Sequence, residues 1–170
     1  MNEQEQRAEL ITSLVTGLAS SEPVARQQAR EKLIRLGGHD VTAALVAESL
    51  DPRRQVRWEA VKALAALADP VAAPALLHAL EDHDSDVRWV AAEGLVGLRR
   101  VGLLTVLSGL TRRARSIEFC RSAHHVLHDL KKHGHADVIA EVLTALDQDE
   151  PETAAPPAAN RALESLKSGG

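Results

Sequence analysis

Residues 51–98 read DPRRQVRWEAVKALAALADPVAAPALLHALEDHDSDVRWVAAEGLVGL, and they hold one pattern written twice. Val56-Arg57-Trp58-Glu59-Ala60 leads to Leu64 and Leu67. Val87-Arg88-Trp89-Val90-Ala91 leads to Leu95 and Leu98. Each position recurs after 31 residues. A fixed period of this size marks an array of small stacked units rather than one globular core.

The pattern extends outward. Arg26, Ala29, Leu33 and Leu36 hold the places of Arg57, Ala60, Leu64 and Leu67. Phe119, Ala123, Leu127 and Leu130 hold the places of Val87, Ala91, Leu95 and Leu98, with Cys120 where the other copies have arginine. Spacings of four and three put these residues on one helical face. The central alanine lets a neighbouring helix approach closely. A second helix follows each of these first helices. In the clearest copy it is residues 71–80, with Ala72, Leu76 and Leu80 on its inner face. Thr42, Val46 and Leu50 repeat that face, as do Gly102, Val106 and Leu110, and Val138, Val142 and Leu146. Leu10, Leu14 and Leu18, flanked by Ile11 and Val15, mark a lone second-type helix at the start of the array.

The turns agree with this division. Asp51-Pro52 and Asp69-Pro70 suit an N-cap followed by the first helical residue, and Ser21-Glu22-Pro23 does similar work. Gly37, Gly38 and Gly134 stand where left-handed backbone ends a helix. Pro74 falls in a first turn, where its missing donor costs little. The expected organisation is a capping helix in residues 1–21 and units at 22–50, 51–81, 82–113 and, irregularly, 114–147. A linker rich in Asp, Glu, Pro and Ala follows at 148–157, then a short helix or frayed tail at 158–170.

Composition narrows the function classes. Of 170 residues only 2% are aromatic, with no Tyr, one Phe and two Trp, which suits closely packed helices rather than a β-sandwich. The net charge of -4 points to neither nucleic acid nor an acidic membrane. Cys120 is the sole cysteine, so no intramolecular disulfide is expected. Residues 1–9 are polar and acidic without a signal-peptide pattern, and no apolar run approaches the ~18 residues of a membrane span. The expectation is a cytoplasmic protein with no membrane partner.

The run Asp-Pro, Val-Arg-x-x-Ala-x-x-Ala-Leu, a short turn, then Ala-x-Pro-x-Leu-Leu-x-Ala-Leu resembles HEAT repeats, and more narrowly the phycobilin-lyase type of HEAT-like repeat. The resemblance covers roughly residues 22–146. It implies an all-α fold: a right-handed α-solenoid of about four helical hairpins plus terminal capping helices, each unit touching only its neighbours. It also implies that the repeated arginine bonds acidic or carbonyl groups of adjacent turns, so Arg26, Arg57 and Arg88 read as structural. One enzymatic branch, deoxyhypusine hydroxylase, carries di-iron ligands as His-Glu pairs right after that arginine. Here the slot holds Gln27-Gln28, Trp58-Glu59, Trp89-Val90 and Arg121-Ser122. A metal needs several O or N ligands from more than one unit, and Glu59 alone does not supply them. The expectation is therefore no enzyme and no cofactor.

That slot carries the functional reading. Trp58 lies about 160° from Ala60 around the helix, away from the packing face. Trp89 is its equivalent one unit on. Helices ~8–10 Å apart would bring the indoles into one apolar surface. The resemblance places this face in the exposed groove of HEAT-like relatives. Around the indoles stand Gln27, Gln28 and Glu31 on one side, then Glu59 and Lys62, then Val90 and Glu93, and beyond them Arg121, Ser122, His125 and Asp129. Exposed tryptophan with a polar rim is the composition of a protein-binding hot spot. The competing reading folds both indoles over the ridge between units as packing. A bilin-lyase-type or other cofactor-maturation accessory is the alternative within the same architecture, and a metal-dependent enzyme a more distant one.

Five of eight histidines cluster at 124–135, and Cys120, His124 and His128 fall on one stripe at i, i+4 and i+8, a spacing that two metal-binding histidines on a helix also use. A solvated histidine face and a small residue in the arginine slot explain them as well, and no metal is expected. Arg99-Arg100 and Arg112-Arg113 with Arg115 suit helix C-termini. The face is mixed in sign, so nucleic acid is not the expected partner; another protein is.

Overall fold

The computed structural model describes residues 2–169. Among them there are ten α-helices and two 3-10 turns, with no strand. The helices are α1 (Glu3–Gly17), α2 (Pro23–Leu36), α3 (His39–Glu48), α4 (Arg54–Leu67), α5 (Ala73–Ala79), α6 (Ser85–Gly97), α7 (Arg100–Arg113), α8 (Ile117–Leu130), α9 (Ala136–Leu146) and α10 (Pro151–Ser168). They form an α-solenoid of two layers. The first-helix layer runs α2, α4, α6, α8, each packed on the next. The second-helix layer runs α3, α5, α7, and each of its members lies against the first helix of the following unit.

The alanine face sets this spacing. Ala29, Ala60, Ala91 and Ala123 are all buried, and around them Leu33, Leu64, Leu95 and Leu127 are fully so. Gly102 lets the start of α7 come close to α6. The carbonyl oxygen of Leu95 lies 1.9 Å from where a Cβ would stand, so no larger residue fits. Helix α1 packs on α2 and α3 much as α3 packs on α4 and the turn at Pro70. Its buried side is Ile11 and Leu18 with Leu14 and Val15 half-buried, while Leu10 faces solvent. Arg7 ties α1 to the α2–α3 turn through Asp40 (2.6 and 2.8 Å) and the carbonyl of Gly37 (2.6 Å). That fork holds the Asp40 carboxyl down at about 2.

The expected caps are partly rearranged. Asp69 caps the turn Pro70–Ala72 by accepting from the amide of Val71. Asp51 is not an N-cap: α4 starts at Arg54, and Asp51 instead accepts from the amide and guanidinium of Arg53. Leu50 belongs to the turn after α3 and is exposed, unlike its buried counterparts Leu80 and Leu110. Arg100 opens α7 rather than ending a helix, so the C-terminal dipole reading fails for it; its guanidinium donates to the carbonyl of Leu166 (3.2 Å). Arg112 and Arg113 do lie in the last turn of α7.

The C-terminal segment differs most from expectation. Residues 151–157 are not a linker, and the tail is neither short nor frayed. α10 runs through both Pro156 and Pro157 to Ser168. It does not extend the first-helix layer. It packs along both α7 and α9, with Ala155, Ala158, Ala159, Ala162 and Leu166 buried. Each interior proline forfeits a backbone hydrogen bond and costs about 3 kcal/mol relative to alanine. Pro156 is half-buried and Pro157 exposed, while the alanines beside them favour helix and allow a close approach.

Candidate protein-binding groove

The repeated arginine ties each first helix to the turn before it. The Arg26 guanidinium donates to the carbonyls of Ser20 (2.8 Å) and Ser21 (3.2 Å). Arg57 does the same to Asp51 and Pro52 (3.1 Å each), and Arg88 to Asp82 (2.7 Å) and His83 (3.3 Å). The carbonyls in every case belong to the residues six and five positions earlier. The carboxylate partner comes from the next unit: Arg57 grips Asp82 through Nε (2.7 Å) and Nη2 (3.1 Å). Burial raises the Asp82 carboxyl, but Arg57 and the amide of Asp84 outweigh it and hold it below the usual carboxylate range. Cys120 keeps the slot's geometry with a weaker donor, its thiol reaching the carbonyl of Ala114 at 3.1 Å. Burial, then the charges of Glu152 and Glu81, push that thiol up.

Between α2, α4 and α6 lies an open groove of about 600 Å³ lined by both Trp58 and Trp89. Trp89 is 58% exposed and lies beside the His125 ring, centroids 4.6 Å apart. Trp58 is half-buried against the core, with the Arg30 guanidinium 5.3 Å and the Lys62 ammonium 5.8 Å from its ring centre. Cations over an indole face are attracted by its quadrupole. The two indoles are therefore not equivalent: one is seated and flanked by charge, the other projects.

Three of the expected rim residues turn inward. Glu59 is buried and pairs with Arg30 and, at 3.7 Å, with Arg26. The carboxylate following Trp58 is thus taken up inside the array, which reaches across to α2 to neutralise it. Val90 is 6% exposed and belongs to the core, because α6 is packed on both sides there. Ser122 donates to the carbonyl of Leu80 (3.0 Å) and so serves α5 rather than the rim. Gln27 and Gln28 are exposed, Gln27 donating to Glu31 (2.8 Å). Arg121 is exposed near Glu118 (3.6 Å), while His125 and Asp129 gather with Glu93 beside Trp89. The stripe Cys120, His124, His128 does not converge on a metal position: Cys120 is buried on Ala114, and Nε2 of His124 lies 3.1 Å from Asp147.

Arg30 and Arg54 line the groove without having been singled out in the sequence. Arg54 stands one helical turn before Trp58, so helical spacing alone could have found it. Arg30 meets Trp58 only through packing between units, for which the sequence carries no local signal.

The family comparison agrees with the architecture. The family model described as HEAT repeats matches residues 11–96, and the chain belongs to that family. The match is to HEAT repeats at large and does not distinguish the phycobilin-lyase type. No curated protein matches. Among solved structures, the crystal structure of an engineered protein from a structural genomics consortium is 22% identical. The alignment covers 94% of this chain and 80% of that one, with a TM-score of 0.44. Among the described residues no helix is long and apolar enough to cross a membrane.

Proposed function

We propose that this chain is a non-catalytic scaffold that binds another protein along its first-helix face, with Trp89 and Trp58 as anchors. The observation that carries the reading is the exposed indole of Trp89 in a groove that the half-buried Trp58 also lines. A large aromatic left more than half in water, beside a concave surface with a charged rim, is how protein-binding hot spots are built. Such anchors each contribute about 2 kcal/mol or more when buried by a partner. The half-seated Trp58 would supply a rigid apolar floor, and the projecting Trp89 would insert into the partner.

The test is affinity capture from the native cell with wild type and with the Trp58→Ala/Trp89→Ala double variant. The affinity of any captured partner is then measured against each single variant. The expected outcome is loss of capture by the double variant, with helical content and cooperative melting kept in Trp89→Ala. If both single variants lose folding to the same degree, the indoles are packing residues and the reading falls.

A further inference from the structure

Beside Trp89, three ligand-type side chains from two adjacent units face one another. Glu93 is on α6; His125 and Asp129 are one turn apart on α8. One ligand atom from each lies within 4.8 Å of the other two, and no other His, Cys, Asp or Glu trio among the described residues does this. Nε2 of His125 is 3.3 Å from Oε1 of Glu93 and 3.9 Å from Oδ2 of Asp129. Ligands bound at ~2.0–2.2 Å around a tetrahedral ion are spaced about 3.3–3.6 Å apart, so small side-chain adjustments bring these three to bonding positions.

Two further features favour an ion there. The second oxygen of Asp129 is already occupied: Lys132 donates to Oδ1 at 2.9 Å and Nδ1 of His128 lies 3.4 Å away. That leaves Oδ2 turned toward His125, the orientation that outer contacts impose on ligating carboxylates. The His125 ring is also held, half-buried and lying against Trp89. One imidazole and two carboxylates form a mixed N/O set, which suits a borderline divalent ion and leaves a fourth position for water.

We infer that Glu93, His125 and Asp129 form a binding site for a divalent transition-metal ion of the zinc class. The ion would bridge α6 to α8 across the unit boundary where the arginine slot is filled by Cys120. It would also fix the ring against which Trp89 rests. The site is distinct from the Cys120, His124, His128 stripe, and it does not depend on whether the groove captures a protein.

The probe is Zn²⁺ titrated calorimetrically into the full chain at neutral pH, with Ni²⁺ quenching of tryptophan fluorescence as a second readout. The expected result is one ion per chain, with affinity weakened at least about tenfold in Glu93→Gln, His125→Ala and Asp129→Asn and unchanged in His124→Ala. Ni²⁺ should quench wild type and Trp58→Phe alike, and Trp89→Phe far less. Circular dichroism establishes that each variant folds; should a ligand variant fail to fold, the Trp89→Phe comparison decides. The inference is overturned by a wild-type dissociation constant above about 1 mM. It is equally overturned by binding that His124→Ala abolishes and Glu93→Gln leaves intact, or by quenching that Trp89→Phe does not reduce.

Discussion

In the second unit Arg57 reaches back to the carbonyls of Asp51 and Pro52 and forward to the carboxylate of Asp82. In the fourth unit the same position is Cys120, whose thiol reaches only the carbonyl of Ala114. The central units are therefore joined by a ladder in which each unit's arginine meets the next unit's acid: Arg26 with Glu59, Arg57 with Asp82, and Arg88 with Glu118 at 3.4 Å. The ladder stops at Cys120. The C-terminal end is held instead by burial, with Phe119 fully enclosed and the alanine face of α10 set against α7 and α9. The contrast teaches that a repeat slot specifies a place to satisfy backbone carbonyls, not an amino acid. When the arginine is lost, the link between units is lost with it, and additional apolar surface takes over the joining.

The largest break in this contrast is expected at Ala159, fully buried on the inner face of α10. Ala159→Asp would place a carboxylate with no acceptor-satisfying partner on the face that meets α7 and α9. Burying such a charge costs more than holding the helix in place, so α10 detaches. The expected loss is on the order of 3 kcal/mol or more, a fall in Tm of about 10 °C. Limited proteolysis should then cut between residues 148 and 157. If the tail remains resistant and Tm moves by less than about 2 °C, the C-terminal end is not held by α10.

The ladder itself is probed by Asp82→Ala. This variant removes the acceptor for two Arg57 nitrogens and for the amide of Asp84 (2.9 Å), and leaves a largely buried guanidinium facing no carboxylate. Denaturant unfolding should show a loss of about 2–3 kcal/mol, against about 1 kcal/mol for Cys120→Ala in the fourth unit's arginine slot. The pH dependence follows from the sign of the shift. Asp82 is held below its unfolded value of about 3.9, so its contribution is complete above that pH and is lost as pH falls toward the folded value. The stability difference between wild type and Asp82→Ala should therefore begin to shrink as pH falls below about 4. Equal losses from Asp82→Ala and Cys120→Ala at neutral pH would remove the distinction between the two ends of the array.

Much of the central array is legible from residues alone, because one helix's buried face repeats with the helix's own period. Ala29, Ala60, Ala91 and Ala123 announce it, and the arginine slot follows. What the sequence hides is what depends on two helices at once. Glu59 reads as a rim residue until α2 supplies Arg26 and Arg30 to bury it. Val90 reads as exposed until packing on both sides of α6 encloses it. Pro156 and Pro157 read as a linker because local propensity cannot register that α7 and α9 offer a surface for the alanines around them. In the groove, Trp89 projects as helical phase predicts, while Trp58 is half-seated by an arginine from the preceding unit.

The smallest expected effect lies in a repeat the residue types conceal. Gly37, Ala68 and Arg99 are spaced 31 apart, and each has a positive φ: 58°, 51° and 54°. All three mark the turn from first to second helix, and only the first is glycine. Ala68, at φ 51° and ψ 33°, ends α4 in left-handed conformation, its amide donating to the carbonyl of Leu64 at 3.2 Å. An L-residue with a Cβ loses roughly 1–2 kcal/mol there. Glycine removes that strain but adds freedom to the unfolded chain worth roughly 0.5–1 kcal/mol. The balance favours Ala68→Gly by about 0.5 kcal/mol, a rise in Tm of about 1–2 °C. The comparison sharpens at the other end of the array, where the arginine slot holds Cys120 and the period lengthens. There Lys131, one unit after Arg99, has φ -52° and continues into a 3-10 turn, so Lys131→Gly meets no left-handed site and should lower Tm instead. A fall in Tm for Ala68→Gly, or the same change in both variants, would mean that the turn's backbone does not follow the 31-residue spacing of the helices.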